Sequence, residues 1–177
     1  MPAAPWIIRY EFAKPQGDRV TFTVSLDRRT LLTLAPTPSA LPAWAALSFQ
    51  KCPNCPLQEA QVPGCPVAAH LLEVVDGFRD LVSFDRVSVR VFVEQRTYER
   101  NDLPLQAALS PLIGLLMVTS GCPILGALRP QARFHLPFAT HVETAARATS
   151  LYLLSQYFVL QQGGQPDWAL EGLASSY

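Results

Sequence analysis

From Leu103 to Leu128 the chain runs for 26 residues without a charged side chain. A segment of that kind belongs either in hydrocarbon or in a protein interior, and its length matches the roughly 20 residues of a bilayer-spanning helix. Pro104, Pro111, Gly114, Gly121 and Pro123 interrupt it, however, and its densest apolar piece, Ala107–Val118, is only 12 residues long. The expectation is therefore a buried core helix and no membrane span. Ser110 followed by Pro111 places the expected start of that helix at Pro111, because proline suits the first helical position.

A core helix needs a surface to cover, and the chain supplies one. Asp85–Glu94 alternates cleanly, with Val87, Val89, Val91 and Val93 on one face of a strand. Trp6–Phe12 and Val20–Leu26 alternate in the same way around Lys14-Pro-Gln-Gly-Asp18, which carries turn chemistry. These predict a β-hairpin, a third short strand at Leu31–Leu34, and antiparallel pairing of the 85–94 strand with the hairpin. Val67, His70, Leu71, Val74, Val75, Phe78, Leu81 and Val82 recur at helical spacing. Thr140-His-Val-Glu143 reads as a capping box opening a helix to about Gln162, where Gly163-Gly164 stops it. Asp167–Leu173 reads as a short terminal helix.

The fold class expected is α+β: a small N-terminal antiparallel sheet, a Pro-rich cysteine loop and a helical C-terminal half. At 177 residues one core suffices, so 1–177 is read as one domain. Its parts are a hairpin region (6–34), a Pro/Cys-rich loop (35–66), a helix plus strand (67–98) and a helical half (103–173). Fourteen basic and fourteen acidic residues cancel, which argues against nucleic acid as a partner, since that binding rests on a surplus of positive charge. The start, with Trp6-Ile-Ile-Arg9, lacks the pattern of a secretory leader. A cytoplasmic location is the expectation, and there cysteines read as reduced thiols or metal ligands before disulfides.

The chain has four cysteines, Cys52, Cys55, Cys65 and Cys122, and each is followed directly by proline. Against background composition four such pairs are on the order of a 1 in 10,000 coincidence, so the pattern calls for a cause. A residue before proline is pushed into extended geometry and proline offers no amide, which holds the sulfur on a stiff elbow. Cys52-Pro-Asn-Cys55 is a C-x2-C knuckle, Cys65 follows within easy reach, and Cys122 arrives from the end of the apolar helix. Four thiolates suit a closed tetrahedral zinc site or an iron–sulfur cluster, [4Fe-4S] or [2Fe-2S]. Proline after the second cysteine, where zinc knuckles more often carry glycine, tilts the choice toward iron–sulfur. A redox thiol pair and ordinary reduced core cysteines are the alternatives. Cys65, with Pro66 behind it, is placed at a helix N-cap, where a thiolate is favoured.

Among other polar residues, His70 falls in an apolar helical stripe and reads as a core or half-buried histidine, while His141 reads as solvent-facing in a first turn. His135 lies in Leu128-Arg-Pro-Gln-Ala-Arg133-Phe-His-Leu-Pro137, a polar loop between apolar helices just downstream of Cys122. A nucleophile pair of Cys122 with His135 or His70 is open in chemical terms. Arg129 and Arg133 are expected to ion-pair with Glu143, and Tyr152, Tyr157 and Phe158 to pack in the core. No G-x-G-x-x-G, Walker A, H-E-x-x-H or G-x-S-x-G motif occurs.

Ser120-Gly-Cys-Pro123, Arg129-Pro with Ala132-Arg-Phe-His-Leu-Pro137, Tyr152-Leu-Leu-Ser-Gln-Tyr-Phe158, Cys52-Pro-Asn-Cys-Pro-Leu57 and Gln95-Arg-Thr-Tyr98 together resemble a family of uncharacterised bacterial proteins over roughly residues 5–160. Pro111 departs from that pattern, which has a small helix-compatible residue there. The resemblance implies no activity.

Three functions follow as expectations. The first is a metal- or cluster-binding protein, structural or sensing redox state or metal supply, with Cys52, Cys55, Cys65 and Cys122 as ligands. The second is an enzyme with a cluster or the Cys122 thiol reacting and His135, Arg133 and Arg96 around a substrate, for which a pocket beside Cys122 is diagnostic. The third is a protein-interaction module, for which an exposed apolar face on the 141–162 helix is diagnostic.

Overall fold

The computed structural model describes residues 4–36, 38, 40–62 and 64–176. Strands β1 (Trp6–Ala13) and β2 (Arg19–Leu26) form the expected hairpin. Its turn closes through Lys14 N donating to Asp18 O at 2.8 Å, and Gly17 takes φ +92°, a conformation in which a side chain would be strained. β3 (Arg86–Val93) pairs antiparallel with β1, placing Ile8 opposite Val93 and Phe12 opposite Val89. β4 (Arg96–Pro104) pairs antiparallel with β3, giving the order β2-β1-β3-β4.

Alternation makes this sheet two-faced. Trp6, Ile8, Tyr10 and Phe12 of β1 point inward with the four valines of β3, all buried. The opposite face carries Arg9–Glu11 at 3.2 Å and Arg90–Glu99 at 3.0 Å, with the Arg9 guanidinium 4.4 Å from the Phe92 ring centre. Helices α1 (Pro66–Gly77) and α2 (Leu105–Thr119) cover the inner face. α2 buries Leu105, Ala108, Leu112, Leu115, Leu116 and Thr119, one stripe at i, i+3/i+4 spacing. Phe12, Phe22 and Phe78 close the far end with ring centres 5.1–5.9 Å apart. Beyond α2 come a 3-10 turn at Leu125–Leu128, α3 (Pro130–Arg133), α4 (His141–Gln161) and α5 (Glu171–Ala174).

The α+β architecture is as expected, and four details differ. The helix in the uncharged run starts at Leu105, and Pro111 sits inside it. The reason is local: Leu105 N donates to Asp85 O at 2.8 Å and Gln106 N to Ser83 O at 3.0 Å, so the preceding turn satisfies amides that the helix cannot. β4 is an additional strand. The 67–82 helix stops at Gly77, where an added Cβ would lie 3.1 Å from the Phe22 ring. Leu31–Leu34 is no strand; Thr33 makes a single bridge to Leu26 and its amide donates to Thr119 O at 3.0 Å. Among the described residues no helix is long and apolar enough to cross a membrane.

Leu112 is completely buried between the sheet and α2's neighbours. Leu112→Ala is expected to cost about 2–5 kcal/mol through lost burial and a cavity, read from urea denaturation. A loss under ~1 kcal/mol would contradict this packing of α2.

Candidate functional site

The cysteines lie on three separate pieces of backbone. Cys52 and Cys55 bracket an exposed turn in which Cys55 N donates to Cys52 O at 3.0 Å. Cys65 is the N-cap of α1 with Pro66 at the first helical position, as expected, and its amide donates to Ala45 O at 2.9 Å. Cys122 follows Gly121, whose φ of +87° turns the chain away from the end of α2. All four thiols are free. Among the described residues no three His, Cys, Asp or Glu side chains are grouped to hold a metal ion, so the four sulfurs are not gathered into the expected ligand set. Two bonds at the long limit tie their surroundings together: Asn54 Nδ2 donates to Ser175 O at 3.5 Å and Ser176 Oγ to Ile124 O at 3.4 Å. The C-terminal turn thus links the 52–55 turn to the segment after Cys122.

His135 is fixed by β1. Ala132 anchors α3 in the core, the Arg133 guanidinium lies 5.1 Å from the Trp6 ring centre, and the Tyr10 hydroxyl bonds His135 Nε2. Tyr10 is fully buried, and burial pushes its phenol well above its ordinary pKa of 10, so it stays protonated. Burial, with the nearby Arg147 charge adding to it, drops the His135 pKa to about 4, so the ring is neutral at pH 7.

Arg147 reaches the same place from α4. Its Nη2 donates to Gln131 O at 3.1 Å, while its Nε is buried without a partner. Burial lowers the pKa of this guanidinium, against the opposing pull of Glu143 and Tyr98. Glu143 forms no ion pair with it, because its carboxylate is taken by the capping box: Oε2 accepts from Thr140 N at 2.7 Å and from Thr140 Oγ1 at 2.9 Å. The expected pairing of Arg129 or Arg133 with Glu143 fails for the same reason; Arg133 packs on Trp6 and Arg129 leaves a buried Nε unpartnered.

His135 and Arg147 line a groove of about 780 Å³ between α2, the α3–α4 connection and the first turns of α4. Cys122 and Arg133 do not line it, and Arg96 opens β4 on the exposed hairpin. The structure therefore separates the proposed enzyme set, keeping only His135 at a cavity. His70 is half-buried as expected, its ring bonded through Nδ1 to Pro66 O at 2.7 Å. Sequence reasoning passes over Tyr10 and Arg147. Each carries a signal: Tyr10 is the polar member of the inward series Trp6, Ile8, Tyr10, Phe12, and Arg147 is the last charge before Asp167.

α4 is the least covered of the helices. Of its 21 residues only Ala148 is buried, while Leu154 is 52%, Tyr157 48% and Phe158 54% exposed. Residues 148–166 carry no charge, so this face is apolar and neutral. The expected core packing holds only for Tyr152, whose hydroxyl donates to Asp167 Oδ2 at 2.8 Å; Tyr157 and Phe158 instead pack edge to face on one another at 5.5 Å in the open.

The chain belongs to the family described as a domain of unknown function (DUF6901), whose model matches residues 8–177. No curated protein and no solved structure matches it.

The His135 shift has a sign. The unfolded imidazole takes its proton near 6.5, the folded one only near 4, so between these values the unfolded state binds more protons. Stability is then lost as pH falls from about 6.5 to about 4 and is flat in this respect above. His135→Gln is expected to shrink the difference in urea midpoint between roughly pH 7 and pH 4.5; an undiminished difference would place the titrating group elsewhere.

Proposed function

Because the family brings no activity to transfer, we propose from this geometry that the chain is a protein-interaction module working through α4, and that the surface it docks is α4 of a second copy. The observation that carries this reading is the exposed, uncharged face of Leu154, Tyr157 and Phe158 on a helix that buries one residue of its own. Solvent-exposed aromatic and leucine side chains in one stripe mark a contact surface, and a helix so thinly attached draws little stability from its own domain.

A second copy fits that face on electrostatic grounds. The charges of α4 are confined to Glu143 and Arg147 in its first two turns. Antiparallel pairing about a two-fold axis sets those turns against the neutral Gln161-Gln162 end, whereas parallel pairing sets Glu143 against Glu143. The chain's net charge of zero removes long-range repulsion between copies. At 1.5 Å per residue the helix is about 30 Å long, enough for a continuous seam.

Light scattering across a concentration series is expected to show a dimer at roughly 100 µM or below. Tyr157→Glu combined with Phe158→Glu is expected to give a monomer with an unchanged circular-dichroism spectrum. A wild-type chain that stays monomeric throughout, or a double variant that still dimerises, overturns the reading.

The four-cysteine metal site is a second proposal, favoured by the bonds that tie the 52–55 turn and the Ile124 segment to Ser175 and Ser176. Metal binding would close Cys52, Cys55, Cys65 and Cys122 onto a zinc ion or an iron–sulfur cluster, adding its free energy to folding. Protein purified without air is expected to carry stoichiometric zinc, or iron with sulfide and absorbance near ~400 nm. Metal-free protein with four titratable thiols sinks this proposal.

A further inference from the structure

We infer that the groove between α2 and α4 is a binding site for an aliphatic carboxylate, held by Arg147 beside the His135 ring, with its chain along the apolar wall of α2. Four observations lead there. The first is the charge of the lining: among the described residues it contains the Arg147 guanidinium and no Asp or Glu. The second is the unmet charge. Arg147 is a half-buried cation whose one bond goes to a neutral carbonyl and whose Nε has no partner; a buried charge in that state is costly until an anion meets it. A carboxylate accepts from the guanidinium as a charge-assisted bond.

The third observation concerns the wall. Ala107, Pro111, Gly114 and Val118 lie on one face of α2 and line the groove at i, i+4, i+7 and i+11. Proline and glycine are the two residues that weaken a helix interior most, and here both stand on the groove side. Gly114 has no packing reason for lacking a side chain, since an added Cβ would meet nothing within 4 Å. What the glycine preserves is open space. The fourth is size and composition: about 780 Å³ falls within the usual range of small-molecule sites, which are mostly apolar with a few placed polar groups.

This site is independent of the α4 docking face. It uses the first turns of the helix, at His141, Thr144 and Arg147, while the docking face lies two turns further on at Leu154 to Phe158.

The test is calorimetric titration with decanoate, with decanol as the uncharged control, on the full chain. Wild-type protein is expected to bind decanoate saturably at one site and more tightly than decanol. Arg147→Gln is expected to weaken decanoate by about tenfold or more while leaving decanol unchanged. Gly114→Leu adds a side chain on the wall where a Cβ meets nothing within 4 Å and replaces a helix glycine, so it is expected to keep or raise the melting temperature while abolishing saturable binding of both. That variant keeps the test decisive if the Arg147 change disturbs folding. No saturable decanoate binding, equal affinity for decanol, or binding that survives Gly114→Leu overturns the inference. The Tyr157→Glu and Phe158→Glu double variant is expected to bind decanoate as the wild type does, which separates this site from the α4 reading.

Discussion

One face of the sheet must be taken out of water, and nearly everything else in the fold is arranged around how α2 does it. The inward side chains of β1 and β3 form a continuous apolar surface. Burial of that surface, worth about 25 cal/mol per Å² before entropy is charged against it, is the main force available. α2 has no charged residue along its length, so it can lie flat on this surface at no desolvation cost. The turn at Ser83–Asp85 fixes where it begins by accepting its first amides, and Thr119 O, accepting from Thr33 N, ties its end to the segment after β2. Both ends of the covering helix are thus clamped by the strands' own connections.

The sheet also reaches past α2. Tyr10 belongs to the same inward row as Ile8 and Phe12, but its hydroxyl needs a partner once buried, and His135 supplies it. That single polar bond in an apolar row fixes the loop between α2 and α4, where burial keeps His135 neutral at pH 7. Replacing the pair by apolar groups could preserve burial, yet the loop would then lose the bond that sets its orientation. The position of Arg147 depends on the same loop, since its guanidinium bonds Gln131 O.

Much of the fold is legible from periodicity. The hairpin, the valine strand and the capping box each obey a rule whose cause is local, and each stands in the structure with its expected partners. β4 escapes that reading for two reasons. Its residues Arg96-Thr-Tyr-Glu-Arg are polar on both sides, as suits an edge strand that must repel other edges, and its turn is Glu94-Gln95, with Glu94 at φ +50° where turn sequences usually put Gly, Asn or Asp. Pro111 misleads differently. Proline marks helix starts statistically, but here burial of Leu105 and Ala108 on the sheet outweighs the lost hydrogen bond, so the helix continues through it. Of the candidate site residues, His135 is recognisable because a polar loop between two apolar helices is unusual. Arg147 is not, because one arginine in a capped helix looks like any surface charge until the loop it touches is placed.

The two ends of α4 follow from this arrangement. Its first turns are held by the capping box, by Arg147 and by Ala148 against the Leu128 turn; from Leu154 on, every residue of the helix is exposed except Gln156 and Val159, which are partly buried. A helix fixed at one end and bare at the other is stable where its polar contacts are and adhesive where its apolar ones are. Tyr152, bonded to Asp167, marks the border, because Asp167 also accepts from Gly172 N at 2.8 Å and so draws α5 back against the helix. The groove lies N-terminal to that border, and the exposed Leu154, Tyr157 and Phe158 lie beyond it. The absence of charge over residues 148–166 is then one physical choice with one consequence: that segment gains little from facing water, and the domain's own core, already filled by α1 and α2, has no room to take it in.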